Sequence, residues 1–460
     1  MTKKIHIIGI GGIGVSALAR YYHYLGYKIS GTDSTDSSLI QALRQEGMNI
    51  LIGEHPEMIN ENIEKIIYSE AIITKPDLSA EEQIYNHPEL QKARELKIPH
   101  FSYPVALGEV FNQKKGIAIT GSHGKSTTTA MMAIVLAGSE VGGSAIVGTQ
   151  VPQLGGTNFY ADSSENFVIE ACEYKRSFLQ YHPFITIITN IDLDHLDYYK
   201  NLDDYISAFQ SLVDQTSGFV VISESDENSL KLNIPKEKKI IVGEKISYFA
   251  KVEMLETDEI FYEAKTLEIP EISLQIPGNH ILQDARLVFA VSKLLGLEDE
   301  YITEKLASYS GSWRRSEIIR TTKNGNILMS DYGHHPNEIR PTLHAIKTKF
   351  PDKKLFVAFQ PHQYSRTREL LPEFSNAFMD ADMLIIPNIY FSRDKQEDVE
   401  WMTTDRLVDT IRENFSSVQN GEGLLNTLEK IKQFDLENPN SSIIVLLGAG
   451  DIDTLRHDIL

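Results

Sequence analysis

Cysteine occurs once in this 460-residue chain, at position 172. A single thiol excludes an intramolecular disulfide and any zinc site built from several cysteines. Basic residues are in the minority: 44 Lys and Arg stand against 64 Asp and Glu, for a net charge of -20. That excludes the broad basic stripe of a nucleic-acid binder. A local basic pocket for an anionic substrate stays open, because an acidic protein can still concentrate positive charge at one site. No run of about 18 apolar residues occurs, so no transmembrane helix and no membrane partner are expected. The apolar opening is broken by glycines and lacks a cleavage site, unlike a signal peptide. A reducing, cytoplasmic setting is the expectation, and the oligomeric state is left open.

What is present is an ordinary globular composition, 42% hydrophobic and 23% charged. At roughly 100–200 residues per domain, a chain of this length predicts about two to four domains. The pattern reads as α/β throughout. Strands are expected at 4–8, 28–31 and 65–68, with helices at 15–25 and 38–46, the βαβ rhythm of a parallel sheet. A second block starts near 115, with strands at 116–120, 166–170 and 184–189 and a helix over 130–136. The charged, Pro-bearing stretch 233–239 reads as a loop inside it. A third block starts near 311, with strands at 355–359, 383–386 and 442–447. The expected division is three α/β domains over 1–107, 108–310 and 311–460.

Four groups of residues carry chemistry. Gly9-Ile10-Gly11-Gly12-Ile13-Gly14 matches GxGxxG between a strand and a helix. Glycines there let the backbone approach a pyrophosphate whose charge sits at the helix N-terminus. Asp33 ends the next strand, where an acid would meet a ribose. Gly11, Gly12, Ile13, Gly14 and Asp33 are therefore candidate nucleotide-sugar contacts. The motif alone does not separate a UDP-sugar from NAD, nor either from an unliganded tight turn.

Thr120-Gly121-Ser122-His123-Gly124-Lys125-Ser126-Thr127 also joins a strand to a helix. Gly-Lys-Ser ends a P-loop, in which backbone N–H groups cradle phosphates, the lysine reaches the β- and γ-phosphates and the hydroxyl ligates Mg²⁺. The full pattern fails at its first glycine, where Ile119 stands. Residues 121–127 are the candidate ATP contacts.

Glu170 ends an apolar strand and Glu173 follows. Asp192, Asp194, His195 and Asp197 follow another strand. Two strand ends that deliver carboxylates and an imidazole to one sheet edge suit a Mg²⁺ site beside a phosphate loop. Glu170 and His195 read as functional, and Asp192 and Glu173 as solvated loop residues. In the third block come Gly311–Glu317 with its Arg314-Arg315 pair, then Asp331-Tyr332-Gly333-His334-His335-Pro336, then residues 359–367 with His362 and Arg366. Each is expected where a strand exits into a loop, and arginines suit phosphate and carboxylate partners. For His335 and His362, loop packing and function weigh equally.

Taken in order, GIGGIG, SGTD, GSHGKSTTT, NIDLDHLDYY, RRSEI, DYGHHP and FQPHQYSRT resemble the Mur ligases over nearly the whole chain. The last two motifs resemble the branch that joins L-alanine to UDP-N-acetylmuramate. An N-terminal GIGGIG domain sets the chain apart from folylpolyglutamate synthases, and a downstream P-loop removes the need for NAD. The resemblance implies an ATP- and Mg²⁺-dependent ligase working through an acyl phosphate, with a Rossmann-like domain over 1–107, a P-loop-type ATPase domain over 108–310 and a second Rossmann-like domain over 311–460. It assigns Lys125 to the ATP phosphates, Ser126 and Glu170 to one Mg²⁺ and His195 to a second. It assigns Arg315 and Asp331 to the nucleotide, His280 in the 277–280 turn to the adenine, and His334 and Arg366 to the amino acid and the muramyl carboxylate. Lys125, His195, His334 and Arg366 are thus the catalytic candidates. Alternatives are a recycling ligase that joins a preformed peptide to the same UDP-sugar, and a non-catalytic UDP-sugar-binding regulator. The chain departs from the family pattern EADESD at Cys172, Tyr174 and Lys175, within Glu170-Ala171-Cys172-Glu173-Tyr174-Lys175, at Ile281 and Asp284 after His280, at Ser316 after the arginine pair, and at Gln363.

Overall fold

The computed structural model describes residues 3–73, 78–195, 198–253, 260–276, 278–392 and 394–459. Asp197 and Pro277, both within motifs read above, lie outside the described residues. The chain builds three sheets. In the first, β1 (Lys4–Ile8), β2 (Lys28–Asp33), β3 (Asn49–Ile52), β4 (Ile63–Tyr68) and β5 (His100–Ser102) run parallel in the order β3-β2-β1-β4-β5. The direction of winding reverses between β1 and β4, so the crevice beyond their carboxyl ends is the natural ligand position of such a sheet. The glycine motif leaves β1 at that point and enters the helix Ile13–Tyr24.

The second sheet contains β6 (Lys115–Thr120), β7 (Ser144–Val151), β8 (Thr157–Tyr160), β9 (Asn166–Glu170), β10 (Ile185–Ile188), β11 (Phe219–Ser223), β12 (Lys239–Val242), β13 (Lys245–Glu253) and β14 (Ile260–Glu268). Their order is β14-β13-β12-β11-β10-β6-β9-β7-β8, a parallel centre with antiparallel pairs at both edges. Register explains what meets at its centre. Thr120 pairs with Ile188 and Ile119 with Glu170, so three loops leave the same edge side by side. The helix Lys125–Leu136 is buried from Ser126 onward, which is why its sequence is apolar or small all round. Within the stretch 233–239 read as loop, Lys236–Lys238 forms a 3₁₀ turn and β12 already begins at Lys239.

The third sheet holds β15 (Glu317–Thr321), β16 (Ile327–Asp331), β17 (Lys354–Phe359), β18 (Met383–Ile386), β19 (Val418–Asn420) and β20 (Ser442–Leu447) in the order β15-β16-β20-β17-β18-β19. Only β15 is antiparallel. Asp331 and Phe359 both pair with Leu447, from opposite sides. One expectation needs correcting here. Gly311–Glu317 does not follow a strand; it comes after the helix Asp299–Ala307 and leads into β15.

Compactness groups the chain as two units, Met1–Glu271 with Ala285–Leu306, and Ile272–Asp284 with Ala307–Leu460. There are three sheets, and the first two share one unit and one apolar cluster. Tyr21 of the helix Ile13–Tyr24 stacks on Phe167 of β9, with ring centroids 4.8 Å apart. Asn158 of β8, wholly buried, donates to the Ile13 carbonyl at 2.5 Å and to Ser16 Oγ at 3.0 Å, and accepts from Arg20. The helix behind the glycine motif is thus held by the neighbouring sheet as well as by its own.

Candidate active site

The loop between β6 and the helix Lys125–Leu136 is shaped by its neighbours. Gly121 has φ +134°, and a Cβ there would lie 2.1 Å from Thr189 Oγ1. Gly124, at φ +81°, caps the helix in a left-handed conformation that costs a glycine little. Ser122 donates its hydroxyl to the Asp192 carbonyl at 2.6 Å, accepts from Asp192 N–H at 2.8 Å, and contacts Tyr205 Oη at 3.0 Å. Asn190 Oδ1 accepts from His123 N–H at 3.0 Å, and its Nδ2 donates to the His123 carbonyl at 3.1 Å. His123 Nε2 lies 3.4 Å from Asp192 Oδ2. The loop after β10 therefore acts as a template for the loop after β6. Thr127 is buried in the first turn of the helix.

Lys125 bends back over this loop. Its Nζ donates to the carbonyls of Gly121 at 2.5 Å and Ser122 at 3.0 Å, and to Glu173 Oε1 at 3.1 Å. Burial by itself would lower the lysine pKa, but the Glu173 carboxylate, with Cys172 and Glu170 behind it, outweighs this and holds it raised. The mirror argument applies to Glu173: burial pushes its pKa up, and Lys125 and His195 pull it below the ordinary range. The pair is therefore ionised. Glu173 was expected to be a solvated loop residue, and this is overturned: its side chain is 1% exposed. Nothing local in the sequence marks it, since it lies just past β9 like any loop acid. Its burial arises from Tyr199, whose hydroxyl donates to the Glu173 carbonyl at 2.5 Å, and from the phosphate loop itself.

Of the three expected metal ligands, Ser126 and Glu170 come together. The Ser126 hydroxyl donates to Glu170 Oε1 at 3.0 Å, and Gly148 N–H donates to Oε2 at 3.0 Å. A hydroxyl and a carboxylate at the root of a phosphate loop fit Mg²⁺, which takes one or two protein oxygens and completes its shell with water and substrate phosphate. His195 instead places Nε2 3.1 Å from Glu173 Oε1, with its ring 4.7 Å from that of Tyr174. A carboxylate can only accept, so this nitrogen carries the proton. Among the described residues no three His, Cys, Asp or Glu side chains gather as a metal cluster. Asp192 is half exposed, as expected, and Cys172 is exposed.

In the first sheet Gly11 N–H donates to Asp33 Oδ2 at 2.8 Å. Gly14 lies against Tyr103, whose Oη would be 2.6 Å from a Cβ, whereas a Cβ on Gly12 would meet nothing closer than 3.5 Å. Gly12 caps the helix with extended backbone, and Ile13 opens it. Beneath this loop lies a polar network that the sequence did not signal. Glu89, wholly buried, accepts from His55 N–H at 2.7 Å and from the Thr32 hydroxyl at 2.9 Å, and sits 3.1 Å from His6 Nε2.

The second unit gathers its candidates at the carboxyl ends of β16, β20 and β17. Asp331 accepts from Ser316 N–H through Oδ2 and Gly333 N–H through Oδ1, both at 2.7 Å. Burial raises its pKa against the opposing pull of Arg315 and these two N–H groups. Arg315 lies over the Tyr332 ring, 4.9 Å from its centroid, and 4.0 Å from Glu338. Arg314 is structural: it lies over the same ring at 5.0 Å and donates to the carbonyls of Gly448 and Gly450. His334 Nδ1 is 3.2 Å from the Tyr332 carbonyl, which can only accept. In the neutral ring Nε2 is then the unprotonated nitrogen. His335 caps the helix Pro336–Lys349, with Nδ1 accepting from Asn337 N–H at 3.2 Å, so the packing reading holds for it. His362 stacks on Tyr390 with centroids 5.4 Å apart and stands 6.2 Å from the His334 ring. Arg366 lies one turn on, in the helix Tyr364–Glu369. Gln363, at φ +74°, donates from Nε2 to the Ser392 carbonyl at 3.1 Å, so this departure from the motif serves to pin the 390–392 loop. His280 is held neutral, because burial lowers its pKa to about 4.

Comparison with known proteins follows the same three-part plan. The chain matches the profiles described as "Mur ligase family, catalytic domain" over residues 4–115, "Mur ligase middle domain" over 119–292 and "Mur ligase, glutamate ligase domain" over 314–450. It is 35% identical to the UDP-N-acetylmuramate–L-alanine ligase of Alkaliphilus metalliredigens over 100% of this chain and 97% of the relative. It is 36% identical to that of Caldanaerobacter subterraneus over 98% and 95%. Among solved structures, the UDP-N-acetylmuramate-alanine ligase of Thermotoga maritima superposes with a TM-score of 0.76 at 25% identity, covering 99% of this chain and 98% of the other. A murein peptide ligase from Psychrobacter arcticus shares the fold, with a TM-score of 0.65 at 18% identity over 99% and 98%.

Proposed function

Because the chain belongs to the Mur ligase family, we propose that it joins L-alanine to UDP-N-acetylmuramate at the expense of ATP, a step in building peptidoglycan precursors. The observation that carries this reading is the lysine-bearing loop between β6 and its helix, with the Ser126–Glu170 pair at its base, in a chain alike over its full length to ligases of that name.

A carboxylate is a poor electrophile at neutral pH. Its oxygen takes the terminal phosphoryl group of ATP and ADP leaves. The amine of L-alanine then attacks the acyl phosphate, and inorganic phosphate departs. The chain's task is positioning and charge neutralisation. The loop over residues 121–127 holds the phosphates through its N–H groups and Lys125. Ser126 and Glu170 would hold one Mg²⁺ and His195 a second, and such ions would neutralise phosphate charge. Gly11, Gly12, Ile13 and Gly14 open the helix that receives the sugar's pyrophosphate, with Asp33 beside them. Arg315 and Asp331 keep the nucleotide roles, and His280 the adenine role, that the family resemblance assigns them. Arg366 takes a carboxylate. His334, whose Nδ1 faces the Tyr332 carbonyl, accepts the proton that the amine must lose. ATP and a nucleotide-sugar as substrates support a cytoplasmic reaction. No helix among the described residues is long and apolar enough to cross a membrane.

Phosphate release measured with UDP-N-acetylmuramate and a panel of L-alanine, glycine, L-serine and a short murein peptide tests the reading. Release that requires both the UDP-sugar and L-alanine is expected. Release with the peptide alone as acceptor would assign the recycling reaction instead, and none with any acceptor would leave a UDP-sugar-binding regulator.

A further inference from the structure

An ammonium has three N–H donors, and Lys125 uses all three, on the Gly121 and Ser122 carbonyls and on Glu173. In this state the lysine has no donor left for a phosphate. Glu173 engages a second group as well, His195 Nε2 at 3.1 Å. Both partners are groups that the reading above assigns to the triphosphate and its metal, and the following inference rests on that reading. A buried ammonium without an anion is costly. The nucleotide-free protein therefore needs a substitute for the phosphate, and a carboxylate whose side chain is 1% exposed supplies one.

We propose that Glu173 is a positioning residue that stands in for the nucleotide's phosphate on Lys125 and so makes nucleotide binding depend on an accompanying divalent cation. An incoming polyphosphate brings a second anion to the ammonium that Glu173 already neutralises. Glu170 adds a further carboxylate beside Ser126, within the same cluster of charges. Without a cation, phosphates and carboxylates repel one another at short range. With Mg²⁺ the balance is restored, and Glu173 yields Lys125 to the phosphate. The bare nucleotide is thereby rejected in favour of its metal complex.

The test is nucleotide affinity rather than turnover. Binding of a non-hydrolysable ATP analogue to the full chain is measured by calorimetry with Mg²⁺ and with a chelator, and the ratio of the two dissociation constants is compared across variants. In E173Q, which keeps the size and loses the charge, cation-free binding should tighten by on the order of tenfold, an ordinary magnitude for coupling between two bound groups. Binding with Mg²⁺ should change much less, so the ratio shrinks. E173D, which keeps the charge but withdraws it from Lys125, should fall between, and it decides the matter if E173Q does not fold. An unchanged ratio in folded variants, or weaker binding under both conditions, overturns the inference. K125A separates the two levels: if it binds the analogue as the parent does, the phosphate-loop reading itself fails.

Discussion

Asp33 Oδ2 accepts the backbone N–H of Gly11 at 2.8 Å. The carboxylate expected to meet a ribose is also the brace that fixes the glycine turn, since its Oδ1 accepts in turn from Thr35 N–H at 3.2 Å. A ligand at this position would find the loop already shaped.

That pre-shaping gives the glycines different duties. Gly14→Ala would press its methyl to 2.6 Å from Tyr103 Oη, and overpacking of this kind costs roughly 1–3 kcal/mol. Gly12→Ala meets only ordinary contacts. Denaturant unfolding should show Gly14→Ala destabilised and Gly12→Ala near the parent. Calorimetry should then show Gly12→Ala weakened for UDP-N-acetylmuramate, because a methyl at the cap of this helix adds bulk where the motif reading brings the pyrophosphate. Unchanged affinity would remove Gly12 from the binding surface.

Lys125→Ala should abolish ligation while leaving the circular dichroism of the parent. Loss of one donor aimed at developing negative charge typically costs about 10²–10³-fold in rate, and a full positive charge should cost at least that. Near-normal phosphate release in the variant would sink the assignment of this loop to ATP.

Glu89 sits among three donors, and its pKa is lowered because His6, His55 N–H and Thr32 together outweigh the opposing effect of burial. A carboxylate with a lowered folded pKa adds stability that is fully present above its unfolded value, and this is lost as pH falls through the folded value. Below about pH 4 the protein should therefore lose stability faster than Glu89→Gln, whose amide does not titrate. At neutral pH Glu89→Ala should cost about 3 kcal/mol, because buried donors are left without an acceptor. Urea titrations across pH check both.

His280 pulls in the same direction over a higher pH range. Burial lowers its pKa from 6.5 to about 4, so the folded state favours the neutral ring. The unfolded chain binds a proton that the folded one refuses between these values, so stability falls as pH drops from 6.5 toward 4. His280→Gln should flatten that segment of the stability curve, by up to about 2 kcal/mol after allowing for partial exposure. If its neutral imidazole faces the adenine, the same variant should weaken ATP more than UDP-N-acetylmuramate in binding assays.

The legible parts of this protein were those written in contiguous residues. Strands β1, β9, β18 and β20 coincide with the expected segments, because runs such as Asn166–Glu170 and Ser442–Leu447 have no periodicity compatible with a surface helix and end at turn or polar residues. The phosphate loop was legible for the same reason: strand, glycines, lysine and hydroxyl follow one another along the chain. Tertiary structure alone decided which acid answers Lys125. Glu170 and Glu173 are alike as residues and three positions apart, yet one accepts from Ser126 and the other is sealed beneath Tyr199 against the lysine. It also decided that His335 caps a helix while His334 next to it turns Nδ1 to the Tyr332 carbonyl, and that Glu89 joins His6 from 83 positions away. Such distinctions depend on burial and on partners distant in the chain. Desolvation makes a carboxylate seek the nearest donor, and which donor is nearest exists only once the sheets have packed.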